Sequence, residues 1–373
     1  MATSDDVDVE VESESSSCFA EFSSWYQSSH TTIYLLLYVD DIIITGNDPS
    51  HISHLITAPS HAFELKDLGA LSYFLGMQIV PTQFGLTLCQ SKYAYILHRF
   101  HMENAKPTKT PSYSSTRLTP YTSSSIPDPS EYRSMVRALK YLTFTCPDLA
   151  FSVHHLCQFM QHPTTVHLEA AKHVLCYVKG TLHFGIHLSL VPLTLSPFSD
   201  VDWAGNPSDR KSTTGLLVFL GFNPVLWSSK KQSIVSHSST KAEYCALAST
   251  AAELSLLRTL FMEFHLFLHH IPILWCDNIS AIALASNPVF HFRTKHIEVG
   301  YHFVREKVLK RDLGIKFISI KDNYADIFTK PLPGPYFLFL RGKLLADSTS
   351  CLRGDAEITE DKPQAIATKQ PNG

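Results

Sequence analysis

Apolar runs broken at short intervals mark the first part of the chain as strand-rich. In TTIYLLLYVDDIIITG, residues 31–46, two such runs flank Asp40 and Asp41, a pattern that predicts strand, turn, strand. KDLGALSYFLGMQIV and GLTLCQSKYAYIL predict a second strand pair running into a helix, LHRFHM. A Pro-, Ser- and Thr-rich linker follows, AKPTKTPSYSSTRLTPYTSSSIPDPS. Three helical patterns come next: EYRSMVRALKYLTF, DLAFSVHHLCQFMQ and TTVHLEAAKHVLCYVKGT. The last has Thr164 or Thr165 as its N-cap and Gly180 as its stop.

After residue 195 the texture changes. FSDVDWAG, GLLVFLGFNPVLWSS and QSIVSHSS predict three strands. TKAEYCALASTAAELSLLRTLFMEF predicts a long amphipathic helix with Leu247, Ala251, Leu254, Leu257 and Phe261 along one stripe. ILWCDN and IKFISI predict short strands, and NISAIALAS and TKHIEVGYHFVREKVLKRD predict helices. Gly300 interrupts the last of these, at a cost of about 1 kcal/mol relative to Ala. NYADIFTKPL predicts a final short helix that Pro331 breaks. Three antiparallel strands, then strands alternating with helices, predict a mixed sheet with helices on its faces.

Composition adds boundaries. The 373 residues are enough for two domains, and 45% hydrophobic with 17% charged residues predicts a globular body. The opening MATSDDVDVEVESESSS is acidic, Ser-rich and without periodicity, and GDAEITEDKPQAIATKQPNG near the end is similar, so both predict disorder. The expected organisation is a disordered tail over 1–30, a folded region over 31–190 with a linker at 105–130, a second over 195–340, and a tail from 345 to 373. The net charge of −3 does not by itself suggest a nucleic-acid binder. None of the eight Cys is paired at C-x-x-C spacing, which argues against a zinc site. The twenty His predict packed or surface residues rather than ligands. An acidic N-terminus without an apolar core predicts an intracellular chain, cytoplasmic or nuclear, rather than a secreted one. No membrane partner is expected, because every long apolar stretch carries charge.

The candidate chemistry lies in carboxylates at the ends of elements: Asp200 and Asp202 on a strand, Glu243 at a helix start, Asp277 at a strand end, Asp326 in a late helix. Each has a structural alternative. Thr240 and Glu243 are spaced as a capping box, Asp277 precedes Asn278 as an N-cap would, and the others could face water. Together they are harder to explain so. Several carboxylates at one point repel unless cations lie between them, and two divalent ions suit phosphodiester cleavage.

FSDVDWAGNPSDRKSTTGLLVFL, SSKKQSIVSHSSTKAEYCAL, LWCDNISAIALASNP, HFRTKHIEV and YADIFTKPL resemble the ribonuclease H domain of copia-type LTR retrotransposon polyproteins. YVDDIIITG, LKDLGALSYFLGMQI, YRSMVRALKYL, PDLAF, QFMQHPTTVH and YVKGT resemble the reverse-transcriptase part of the same polyproteins, and the likeness runs from about residue 31 to about 345. The fold class it implies is α+β and α/β: a truncated palm and connection fragment, then a ribonuclease H-like mixed sheet with flanking helices. It implies a D-E-D-D site of Asp200, Glu243, Asp277 and Asp326 holding two Mg²⁺, with Mn²⁺ as a substitute and Asp202 as second choice for the first place. It implies an RNA–DNA hybrid or other nucleic acid as partner, with a water activated between the two ions to cut the RNA strand. Arg210, Lys211, Lys230, Lys231 and Lys241 are then candidate phosphate contacts, against the alternative of a solvated basic face.

The same resemblance makes YVDD the turn of the polymerase palm, with Asp40 and Asp41 helping to hold the polymerase metals. The family draws a third carboxylate from an upstream strand, and Asp5, Asp6 and Asp8 sit in no such pattern. Polymerase activity is therefore expected to be lost and ribonuclease H activity kept. The rival expectation is a catalytically inactive relic that at most binds nucleic acid.

Overall fold

The computed structural model describes residues 25–27, 31–39, 41–60, 67–90, 95–112, 118–120, 123–286 and 295–347. Asp40, Asp5, Asp6, Asp8 and the outer parts of both expected tails lie outside the described residues. The chain divides into two compact units, residues 1–71 and 72–373.

In the first unit, β1 (Trp25–Gln27), β2 (Thr32–Tyr38) and β3 (Asp41–Gly46) form an antiparallel sheet in that order, followed by helix α1 (Pro49–Ser60). Trp25–Gln27 thus pairs with β2, although the sequence places it in an acidic tail. Tyr38 faces Asp41 across the hairpin, and Val39 follows Tyr38 into its turn. Val39 has φ +52° and is 75% exposed. A β-branched residue seldom adopts that left-handed conformation, which two-residue hairpins normally give to Gly or Asn. Asp48 caps α1, accepting from the Ser50 amide at 2.9 Å.

The second unit opens with β4 (Tyr73–Phe74), β5 (Met77–Thr82), β6 (Gly85–Cys89) and α2 (Tyr95–Arg99). Helices α3 (Ser130–Leu142), α4 (Ala150–Cys157) and α5 (Thr165–Thr181) follow, then β7 (Phe184–Ser189). Thr164 caps α5 in a capping box with His167, and the helix passes Gly180 to end at Thr181. Next come β8 (Leu195–Asp202), β9 (Thr213–Leu220), β10 (Asn223–Lys231), α6 (Ser239–Glu263), β11 (Ile273–Cys276), α7 (Ile279–Ser286), α8 (Lys295–Leu309) and β12 (Gly314–Phe317). A 3-10 turn at Tyr324–Phe328, α9 (Gly334–Leu344) and β13 (Ala346–Asp347) close the unit. β13 falls at the start of the expected disordered tail and instead pairs with β7, in a sheet ordered β13-β7-β6-β5-β4.

The second sheet runs β10-β9-β8-β11-β12, with β8–β10 antiparallel and β11 and β12 parallel to β8. This is the ribonuclease H-like mixed sheet that the resemblance implies. One strand is reassigned. GLLVFLGFNPVLWSS is a hairpin of two strands, β9 and β10, turned at Gly221, whose φ of +59° suits glycine. QSIVSHSS is a loop that ends on Ser238, the N-cap of α6.

β9 is buried almost throughout, so both faces of the sheet need cover. On one face Val218 and Leu274 pack with Tyr244, Leu247, Ala251 and Leu254 of α6. Leu257 is only partly buried against that cluster. By length and composition α6 could cross a membrane, but that stripe is the one seated on the sheet. Gly300 of α8 stands where an added Cβ would come within 3.2 Å of Ala248, so its missing side chain lets α8 approach α6 closely. On the other face Phe198, Leu217 and Phe219 share one core with Tyr132, Leu139, Leu149 and Val174 of the preceding helical region and with Phe328 and Phe337 after it. The core is therefore continuous across residue 190, where the sequence places a domain boundary.

Gly215 of β9 sets the position of the last 3-10 turn. An added Cβ there would lie 2.8 Å from the Ala325 carbonyl oxygen and 2.9 Å from Phe328 Cβ, so only glycine lets the turn lie on the strand. We expect Gly215→Val to lower unfolding free energy by about 1–3 kcal/mol, the usual cost of overpacking. Denaturant titration of the two proteins measures this, and equal midpoints would show that the turn does not rest on β9.

Candidate metal centre

Strand alternation puts Asp200 on the same face as Phe198, opposite Gly215 in the β8–β9 register. β11 runs parallel to β8, so the residue after it, Asp277, comes to the same end of the sheet. Glu243 lies in the first turns of α6, which begins at that end. The turn seated on Gly215 supplies Asp326. Asn323 fixes this turn: its side chain accepts from the Ala325 amide at 3.2 Å and donates to the Ser199 carbonyl at 3.0 Å.

The four predicted carboxylates therefore meet. Asp200, Asp277 and Asp326 each offer an oxygen, all within 4.8 Å of one another, and Glu243 is within the same limit of Asp277 and Cys276. Asp200, Glu243 and Asp326 are buried, at 2%, 6% and 1% exposure. The capping alternatives do not describe these residues. Ser238, not Thr240, caps α6, accepting from the Lys241 amide at 3.2 Å. Asn278, not Asp277, caps α7, accepting from the Ala281 amide at 3.0 Å. Asp202 is part-exposed beyond the cluster, beside Gly205 and Asn206.

Burial, then the charges of Asp200 and Asp277, push the Glu243 carboxyl up to about 9. Burial and Asp200 push Asp326 up to about 7 and raise Asp277 in the same sense. Burial and the Glu243 charge raise the Cys276 thiol, whose Sγ lies 4.0 Å from Glu243 Oε2. Among the described residues, Lys330 brings a cation into the cluster. Lys330 Nζ is 2.9 Å from Asp326 Oδ1 and 3.5 Å from Asp200 Oδ2. Burial works against its charge, but the two aspartates outweigh burial and hold it above the usual lysine range. Thr329 donates its hydroxyl to Asp200, and the Tyr336 hydroxyl lies 3.3 Å from Asp326 Oδ2. Sequence reasoning passed over Lys330, Thr329 and Tyr336. The i,i+4 spacing of Asp326 and Lys330 was the one available signal.

The basic residues lie at the same end of the sheet, since Lys230 and Lys231 pair with Thr214 and Thr213 at the start of β9. Arg210 and Lys230 are exposed, and Lys211 and Lys241 partly so. Lys231 is engaged within the molecule, 2.8 Å from Asp209 and 3.1 Å from Gln158. Of the polymerase pair, Asp41 is exposed at the start of β3 and Asp40 lies outside the described residues.

The strand order and the converging carboxylates define a ribonuclease H-like fold joined to a preceding segment of another kind. Residues 10–114 match the family described as reverse transcriptase (RNA-dependent DNA polymerase). The retrovirus-related Pol polyprotein from transposon RE2 of Arabidopsis thaliana is 45% identical over 308 residues, covering 82% of this chain and 21% of that protein. An uncharacterized mitochondrial protein of the same plant is 47% identical over 229 residues, covering 60% of this chain and 93% of the relative. A putative transposon Ty5-1 protein of Saccharomyces cerevisiae is 31% identical over 232 residues, covering 61% of this chain and 75% of the relative. The chain belongs to the copia-type retrotransposon Pol polyproteins. It spans about a fifth of the RE2 polyprotein.

The raised carboxyls make stability depend on pH. Glu243 would ionise at 4.5 in the unfolded chain but holds its proton to about 9 in the fold. Its protonation thus favours the folded state fully below about pH 4.5, and that contribution drains away as pH rises to about 9. His154 and His155, which burial lowers to about 4, act in the opposite sense between about pH 4 and 6.5. From about pH 7 to 9, therefore, the melting temperature in EDTA should fall. Mg²⁺ should flatten that fall by screening the ionised cluster. A flat or rising profile in EDTA would contradict the buried-carboxylate account.

Proposed function

We propose that the chain cleaves the RNA strand of an RNA–DNA hybrid by metal-dependent hydrolysis at Asp200, Glu243, Asp277 and Asp326. The observation that carries this reading is the meeting of three carboxylate oxygens within 4.8 Å at one end of the sheet, with a fourth carboxylate adjoining. The donor set fits the ion. Carboxylate oxygens are the hard ligands that Mg²⁺ prefers, and Mn²⁺ accepts them too. Among the described residues the Cys276 thiol beside Glu243 is the one soft donor, and it is the least suited to Mg²⁺.

Asp200, Asp277 and Asp326 would hold the ions, and Glu243 would complete the set from the Asp277 side. Bound there, divalent ions supply charge stabilisation at the phosphate and lower the cost of ionising water. Asn323 and Gly215 keep Asp326 in place, the first by its bond to Ser199, the second by leaving room for the turn. Exposed Arg210 and Lys230, at the same end, are available to phosphates of the backbone, which position a nucleic acid without reading its sequence. Discrimination of a hybrid from a DNA duplex would come from 2′-hydroxyls and minor-groove shape.

The test is hybrid cleavage by the full chain and two variants, with Mg²⁺ or with EDTA. Asp277→Asn and Glu243→Gln keep shape and remove charge. Each should lose cleavage by roughly a hundredfold or more, about 2.7 kcal/mol in barrier, while melting within a few degrees of the parent. Cleavage unchanged in both variants would end the assignment. No cleavage by the parent would favour the inactive relic.

A further inference from the structure

Lys330 follows the turn that carries Asp326, and its ammonium lies between two carboxylates. Asp200 and Asp326 side chains are each 2% exposed, and the Lys330 side chain is 34% exposed. The oxygens it touches are heavily used. Asp326 Oδ1 accepts from Lys330 at 2.9 Å while Oδ2 takes the Tyr336 hydroxyl at 3.3 Å. Asp200 Oδ2 takes both the Thr329 hydroxyl and Lys330. A divalent ion held by Asp200 and Asp326 would need lone pairs of the same groups, and an ammonium at this range would repel it strongly. Lys330 also borders a cleft of about 270 Å³ lined by Asp202, Asn206, Gln158 and His154. Its flexible four-carbon stem can move the ammonium into that space.

We propose that Lys330 is an internal counter-ion that competes with the divalent cation for Asp200 and Asp326, and that its ammonium moves into the adjoining cleft when the cation binds. The proposal rests on the reading of these carboxylates as a cation site, but not on hydrolysis. Lys330 thereby sets the affinity of the site. Its charge offsets the repulsion between the two aspartates when divalent ions are scarce, and it weakens apparent metal binding.

Calorimetric titration of the full chain with Ca²⁺ tests this without turnover. Lys330→Met should bind Ca²⁺ at least about fivefold more tightly than the parent, and Lys330→Arg no more tightly than the parent. Equal or weaker binding by Lys330→Met overturns the proposal. Should that variant fail to fold, the parent chain still decides the matter through amine acylation read by mass spectrometry. Ca²⁺ should raise labelling of Lys330 severalfold against Lys310, an exposed lysine paired with Glu306. Unchanged or reduced labelling overturns the proposal. Tighter Ca²⁺ binding by Lys330→Met in a protein that cuts no hybrid supports the counter-ion and ends the hydrolase reading. Unaltered affinity in a protein that does cut ends the counter-ion alone.

Discussion

Asp200, Glu243, Asp277 and Asp326 repel one another, and the fold brings them together regardless. Burial multiplies the repulsion, because charges lose the water that would screen them. A chain gains nothing in stability from such a cluster. Its cost is visible in the raised carboxyls and in the recruitment of Lys330, Thr329 and Tyr336 around Asp200 and Asp326. On the proposed reading it is a place prepared for cations, with the surrounding structure supplying the stability that the site itself gives up.

That stability comes from a sheet covered on both sides. α6 seals one face with Tyr244, Leu247, Ala251 and Leu254. The other face is closed by α3, α4 and α5 together with α9, through Tyr132, Leu139, Val174 and Phe337. Trp227 of β10 donates to the Thr143 carbonyl at 2.9 Å, and the Tyr177 hydroxyl donates to the buried Asp148, with Arg341 of α9 3.5 Å away. Helices that precede the ribonuclease H-like sheet in sequence thus form half of its support. Asp148, which burial raises to about 6, is a buried carboxylate outside the cluster, and its hydrogen-bond partner is a hydroxyl rather than other acids.

Much of this was legible in the residues, and the failures have local causes. The stripe of α6, the capping of α5 by Thr164 and the strands around Asp200 and Asp277 follow from periodicity and cap chemistry. GLLVFLGFNPVLWSS misled because β9 is buried on both faces, so its apolar run lacks the alternation that would separate two strands. Gly221, with Asn223 and Pro224 close behind, marks the turn. Thr240 and Glu243 imitate a capping box two residues too late, since Ser238 already caps the helix. The convergence of Asp326 with Asp200 was beyond local pattern altogether. It depends on Gly215 being empty of a side chain and on Asn323 reaching Ser199, contacts that join residues more than a hundred positions apart. Lys330 is not legible from sequence because a lone lysine four residues from an aspartate has the pattern of a surface pair, and the burial of both aspartates is a tertiary fact.

The most direct measurement is anomalous diffraction from crystals of the full chain soaked in Mn²⁺. A peak is expected among the oxygens of Asp200, Asp277 and Asp326, with Lys330 Nζ moved off Asp200 and Asp326. Crystals saturated with Mn²⁺ that show no peak there, with the ammonium still seated between the two aspartates, would contradict it.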